Sequence, residues 1–207
     1  MPDRLDYSEK IYFDSIKNDC EIIFDVGASD YSIFFKETEL EVHYFEPFEK
    51  PFGRLLEADI KNKKKYLINK GLSDEKNNLP YYIEGSLYDR NMSKKIIGNC
   101  EVITGIEYCE LQKVDKIDFL KIDVEGMETK VLRGFDNFLS NIKFIQFEYG
   151  IGLRDAGSNL KEVFDLLRPH GFSVFYKQTD DGLVKIENDG DFWEWCNICT
   201  SNEKYSQ

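Results

Sequence analysis

No apolar run in this chain is long enough to cross a bilayer, and the amino-terminal MPDRLDYSEK lacks the apolar centre and small-residue cleavage site of a signal peptide. Both absences predict a cytoplasmic protein with no membrane span. The five cysteines are odd in number and scattered, which fits reduced thiols better than a disulfide framework. Positive charge is also short: 27 Lys and Arg stand against 39 Asp and Glu, a formal charge of −12. Nucleic acid is thereby a poor partner, because binding its backbone takes Lys and Arg to displace counterions. A small-molecule or glycan acceptor suits the charge better, and the basic run 61–65 reads as a solvated helix end or turn. The G-x-G-x-x-G of nicotinamide dehydrogenases is missing, as are internal repeats and low-complexity linkers.

What is present centres on IDFLKIDVEGMETKVLRG, from Ile117 to Gly134. Its first half alternates apolar residues with Asp118, Lys121 and Asp123 and reads as an inner strand of a parallel sheet. Buried charges of this kind need partners on a neighbouring strand. Downstream, IKFIQFEYG (Ile142 to Gly150) puts Phe144, Gln146 and Glu148 on one face by its period of two. If the two strands are adjacent, Asp123, Glu125 and Glu148 converge at their carboxyl ends, where open α/β sheets bind ligands. The competing reading is a structural ion pair between Lys121 and Glu148.

Upstream, EIIFDV (Glu21 to Val26) is a strand that ends at Asp25 and runs into Gly27-Ala28-Ser29, a turn at which backbone can approach a nucleotide-like cofactor. EVHYFE (Glu41 to Glu46) is a second strand, stopped by Pro47. Glu46 lies about 20 positions beyond Gly27, the separation at which doubly wound folds set a carboxylate against ribose hydroxyls. Helices are expected over Tyr7–Lys17, Phe48–Ile60, Ile106–Lys113, Gly126–Arg133 with Gly134 as cap, and Asn159–Leu167, where Asn159 and Glu162 resemble a capping box. Further strands are expected over Lys64–Lys70, Leu79–Ile83, Glu101–Thr104, Phe172–Lys177, Leu183–Glu187 and Phe192–Thr200, with Gly85–Gly98 a loop or irregular connection.

Five separated segments, DVGAS (25–29), YFEP (44–47), NKGLSD (69–74), DFLKIDVEGMETKVLRG (118–134) and FIQFEYG (144–150), resemble FkbM-type S-adenosylmethionine-dependent methyltransferases, closely over Ile22 to Gly150 and loosely beyond. The resemblance implies an α/β, Rossmann-like class I methyltransferase fold: a seven-stranded, mostly parallel sheet with helices on both faces and one antiparallel strand near the carboxyl end. The whole of 1–207 then forms a single methyltransferase domain, with a helical segment over 1–20, a cofactor-binding core over 21–150 and sheet completion over 151–207. It also implies that Asp25, Gly27, Ala28 and Ser29 border the cofactor, that Glu46 holds its ribose, that Leu72 and Ser73 lie near adenine, and that Asp123 stands between cofactor and acceptor. In place of the family's DVGANxG, Ser29-Asp30-Tyr31 replaces the asparagine and later glycine, so Tyr31 either reshapes the turn or weakens cofactor binding. A binding-only, inactive module follows from the second case.

Methyl transfer to a hydroxyl needs a base as the bond forms. His43, inside a strand, and His170, in a turn at the opposite end, read as structural, which leaves Asp123, Glu125 or Glu148. Mg²⁺ held by these three carboxylates is a variant not favoured. Cys196 and Cys199 fall on opposite faces of a strand and do not suggest zinc. Tyr149, Phe192, Trp193 and Trp195 suggest a stacking wall for a sugar, with core packing the preferred alternative for the tryptophans. The resulting expectation is an O-methyltransferase acting on a hydroxyl of a saccharide or glycoconjugate. The alternatives are another small-molecule or lipid hydroxyl, an amine, or the inactive module.

Overall fold

The computed structural model describes residues 3–82, 95–192 and 194–205. After helix α1 (Asp3–Ile16) come strands β1 (Ile22–Val26) and β2 (Glu41–Phe45), helix α2 (Glu49–Glu57), and strands β3 (Lys64–Ile68), β4 (Gly71–Leu72), β5 (Asn77–Tyr82) and β6 (Ile96–Ile103). Then follow α3 (Gly105–Gln112), β7 (Ile117–Ile122), α4 (Glu128–Arg133), β8 (Ile142–Tyr149), α5 (Ile151–Asp155), α6 (Leu160–Leu167), β9 (Phe175–Thr179), β10 (Gly182–Lys185) and β11 (Cys196–Ser201).

The main sheet has the order β10-β9-β11-β8-β7-β1-β2-β3. From β3 to β8 every pairing is parallel, whereas β11 runs antiparallel to both β8 and β9. Those seven strands are the expected arrangement with its one reversed strand, and β10 adds an eighth by folding back on β9. Strand order reverses beside β1, where β2 and β3 build one way and β7 and β8 the other, so the crevice above β1 and β7 is the ligand position of the topology. A small second sheet, β4-β6-β5, carries Pro80 on its outer strand, as a residue without a donor requires.

Alternation on the inner strands divides the core into two layers. Ile23, Phe119 and Phe144 face α1, where Tyr12 and Phe13 pack edge-on or stacked against Phe119. Phe24, Leu120, Ile122, Ile145 and Phe147 face the other way, under Val131, Leu132 and Phe164. Charges on the inner strands are answered locally: Asp118 Oδ2 accepts hydrogen bonds from the Glu21 and Ile22 amides at 2.9 and 3.0 Å, tying the start of β1 to β7. Asn159 caps α6 as expected, its Oδ1 accepting from the Glu162 amide at 2.9 Å.

Several boundaries differ from the sequence expectation. The final strand begins at Cys196, four residues late, and β9 begins at Phe175, because the segments before them line a cleft or turn away from the ladder. Helix α5 was not expected, being only five residues long. The helix expected from Gly126 begins at Glu128, since Gly126 has φ +109. Gly134 is not a left-handed cap: its φ is −66, and glycine is needed because a Cβ there would lie 2.0 Å from the Ser73 carbonyl oxygen. Residues 85–94 of the expected loop, with Ile83 of the strand expected before it, lie outside the described residues, while Ile96–Gly98 belong to β6.

Candidate active site

The residues expected at the cofactor end assemble at the carboxyl ends of β1 and β2. The Gly27 and Ala28 amides donate to the Phe45 carbonyl at 2.9 and 3.1 Å, which fixes the turn to the end of β2. Glu46 is 4% exposed, and its two oxygens accept from the Ser29 amide (3.0 Å) and the Phe48 amide (2.9 Å). Burial raises its pKa above the ordinary carboxylate range, although both amides oppose the rise. Phe48, two residues on, packs against Tyr81 at 4.7 Å between ring centroids, and Leu72 and Ser73 are buried at the end of β4.

Gly27 has φ +85, and its close neighbour is protein: a Cβ would fall 1.8 Å from the Asp123 carbonyl oxygen. Glycine is therefore demanded first by the packing of the β1 turn against the end of β7, where the Asp123 amide also donates to the Val26 carbonyl at 2.9 Å. Ser29 takes the left-handed conformation as well, at φ +52. Beyond it, Asp30 receives the Arg54 guanidinium at 2.5 and 3.0 Å, and Tyr31 is 72% exposed. At this departure from the family's turn the Tyr31 side chain faces solvent.

The register across β7 and β8 decides the charges. Lys121 stands opposite Gln146 on β8 and Asp25 on β1, so the expected pairing of Lys121 with Glu148 gives way to one with the β1 side. Its ammonium lies 3.8 Å from Asp25 Oδ1 and 3.4 Å from Asp123 Oδ2. Asp25 is buried, and desolvation raises its pKa despite Lys121.

Two residues further along each strand, Asp123 and Glu148 come side by side. Burial pushes Glu148 up to about 8, Asp123, Glu125 and Glu128 add repulsion in that order, and a hydrogen bond from the Trp195 side chain opposes them. Glu125 follows on a left-handed turn at φ +58. The three expected carboxylates are thus brought together, yet among the described residues no group of three His, Cys, Asp or Glu is arranged to hold a metal ion.

Beside Glu148 opens a cleft of about 310 Å³, lined in part by Glu125, Glu128, Glu148, Arg154, Glu194 and Trp195. Trp195 is 65% exposed, which overturns core packing for this tryptophan. Its indole lies over Gly150, where a Cβ would come within 2.9 Å of the ring. Trp193 lies outside the described residues. Tyr149 is fully buried, its hydroxyl 3.1 Å from an Asp191 carboxylate oxygen and 3.0 Å from the Phe192 carbonyl, the two acceptors within reach of its one proton, so it supports the wall without forming its surface. Sequence reasoning assigned no role to Glu128, Arg154 or Glu194.

The remaining candidates are structural. His43 is buried, 2.8 Å from the Tyr108 hydroxyl, and burial lowers its pKa to about 4. His170 lies 3.1 Å from Ser140, at the other end of the sheet. Cys199 is sealed in the α1-side layer and Cys196 packs against the opposite one.

A doubly wound sheet with one reversed strand, a glycine turn after β1 and a buried acid after β2 defines the class I methyltransferase fold. Solved structures agree: the chain superposes with a TM-score of 0.53 on a TehB-like SAM-dependent methyltransferase from Corynebacterium glutamicum (10% identity, 95% of this chain, 88% of that one). The score is 0.52 on magnesium protoporphyrin IX methyltransferase from Synechocystis PCC 6803 (11% identity, 97% and 81%). Residues 25–174 match the sequence model described as "Methyltransferase FkbM domain", and the chain belongs to that family of S-adenosylmethionine-dependent methyltransferases. A curated relative, hexuronic acid methyltransferase AglP of Haloferax volcanii, is 28% identical over 178 residues, covering 83% of this chain and 69% of its own.

The residues at the crevice suit such a cofactor. A buried carboxylate at the end of β2 is the residue type that doubly wound folds set against a ribose.

Proposed function

We propose that this protein transfers a methyl group to a hydroxyl of a saccharide or glycoconjugate, with Glu148 as the group that accepts the hydroxyl proton. The observation carrying the proposal is the position of Glu148: half-buried at the cleft beside Asp123, with its pKa raised to about 8, under an exposed indole. A base titrating near the working pH combines an available ionised form with a useful affinity for the proton. An aromatic face bordered by carboxylates matches a sugar, whose ring presents C–H groups to the indole and hydroxyls to the acids. AglP, named for a hexuronic acid, supports the acceptor class. Arg154 in the same wall would give a carboxylated sugar a cation to face.

In this reading Gly27, Ala28, Ser29 and Asp25 border the methionine end of the cofactor, Glu46 its ribose, and Leu72 and Ser73 its base. S-adenosylmethionine, when bound, supplies an electrophilic methyl on a sulfonium. Held there, it would supply that methyl to the acceptor oxygen and leave as the neutral thioether, and the hydroxyl proton would pass to Glu148. Asp123, beside Lys121, holds negative charge where the cleft meets the crevice. The test is incubation with methyl-labelled cofactor and a panel of neutral, amino and uronic sugars, followed by assignment of the methylated position by nuclear magnetic resonance. Label confined to lipids or free amines would reject the saccharide hydroxyl.

A further inference from the structure

The turn between β7 and α4 is held in an unusual conformation. Glu125 adopts φ +58 and Gly126 φ +109, and the latter is packed so closely on α5 that a Cβ would meet the Gly152 carbonyl oxygen at 2.7 Å. A non-glycine residue in this region needs support from its surroundings. Glu128 supplies it: its Oε1 accepts hydrogen bonds from the Val124 amide at 3.3 Å and the Gly126 amide at 3.1 Å. Glu128 is 1% exposed and lines the cleft, and its Oε2 is buried with no hydrogen-bond partner. A carboxylate oxygen left bare in such a place is unfavourable unless it carries a proton.

We propose that Glu128 is the positioning residue of the acid cluster, clasping the Val124–Gly126 turn through Oε1 and holding Oε2 against Glu148. The groups around it are Asp123 and Glu125 on the turn, Glu148 on β8, Arg154 on α5 and Glu194 before β11. Asp123 is partnered by Lys121, and Glu194 by Lys177. A negative charge on Glu128 makes Glu148 harder to ionise and so strengthens its hold on an accepted proton. Burial raises the Glu128 pKa to about 7, below that of Glu148, so Glu128 is the first of the two to ionise. The second half of the proposal rests on reading Glu148 as the proton acceptor, whereas the clasp does not.

The test uses Glu128→Gln and Glu128→Ala in the full chain, read by hydrogen exchange across Val124–Gly126, by cofactor titration and by the pH profile of turnover. Glutamine keeps an oxygen for the two amides and is neutral at every pH. Exchange in Glu128→Gln should match the wild type within about threefold, most of the turnover should survive, and the rising limb of the profile should move acidward by about half a pH unit or more. In Glu128→Ala, exchange should rise about a hundredfold and kcat fall about a hundredfold with cofactor affinity kept. Wild-type protection of the turn in Glu128→Ala would overturn the clasp, as would lost protection in Glu128→Gln should the alanine variant fail to fold. An unmoved limb in Glu128→Gln would overturn the charge coupling of Glu128 to Glu148. Full activity of Glu148→Gln would instead reject the assigned base, and the exchange result would still judge the clasp.

Discussion

The backbone of Asp123 occupies the space that a side chain on Gly27 would need, with 1.8 Å between the Asp123 carbonyl oxygen and a Cβ at Gly27. The cofactor turn and the first residue of the acid cluster are therefore one packed unit. Gly27→Ala would combine an unfavourable φ of +85 with a backbone overlap that no rotamer relieves. We expect a loss of about 3 kcal/mol or more in urea unfolding, together with loss of cofactor binding by calorimetry. A variant of wild-type stability would show that the β1 turn and β7 separate freely.

Glu148→Gln should lower kcat about a hundredfold to ten-thousandfold and leave cofactor affinity within about twofold. The base must be ionised to accept a proton, so wild-type turnover at saturating acceptor should rise with pH and level off above a value near 8, lower if the bound sulfonium stabilises the anion. Rates that fall through this window would assign the opposite protonation state.

Asp123 and Glu148 were legible in the sequence because strand alternation is strict: two residues past Lys121 and two past Gln146, the same face returns. The turn and Glu46 were legible through their spacing, which strand order converts into proximity. Glu128 was not, since its role depends on two amides of a turn whose left-handed shape leaves no mark in hydropathy. Trp195 was misjudged because Phe192–Thr200 alternates like a strand, and only the late start of β11 leaves the indole at the cleft. Gly134 was given a cap's role because a glycine at a helix end usually has one; its true constraint, the Ser73 carbonyl, is 61 residues away in sequence and visible only in three dimensions.

Stability should fall as pH rises through the weakly acid range. Glu128 is held near 7 in the folded state against about 4.5 unfolded, so between those values the native state binds more protons and the slope of stability against pH is negative. The effect is complete above about 7 and amounts to about 3 kcal/mol as an upper limit, and Glu148 extends it toward 8 with the same sign. Chemical unfolding from pH 4.5 to 8 should show the decline, and Glu128→Gln should flatten it. An equally steep decline in that variant would place the responsible carboxyl elsewhere.

Trp195 separates acceptor binding from chemistry. Its ring is mostly exposed, so Trp195→Ala should change folding stability little, yet it removes the aromatic face of the cleft. If a saccharide stacks there, KM for the acceptor should rise about five- to thirtyfold, the equivalent of about 1–2 kcal/mol, with cofactor affinity unchanged. Trp195→Phe divides the two functions of the indole. Phenylalanine retains a stacking surface but no N–H, and the hydrogen bond from Trp195 is what holds the Glu148 pKa down. That variant should keep most of the affinity while its pH profile moves toward higher pH. An unchanged KM in Trp195→Ala would mean that the acceptor enters from another side of the acid cluster.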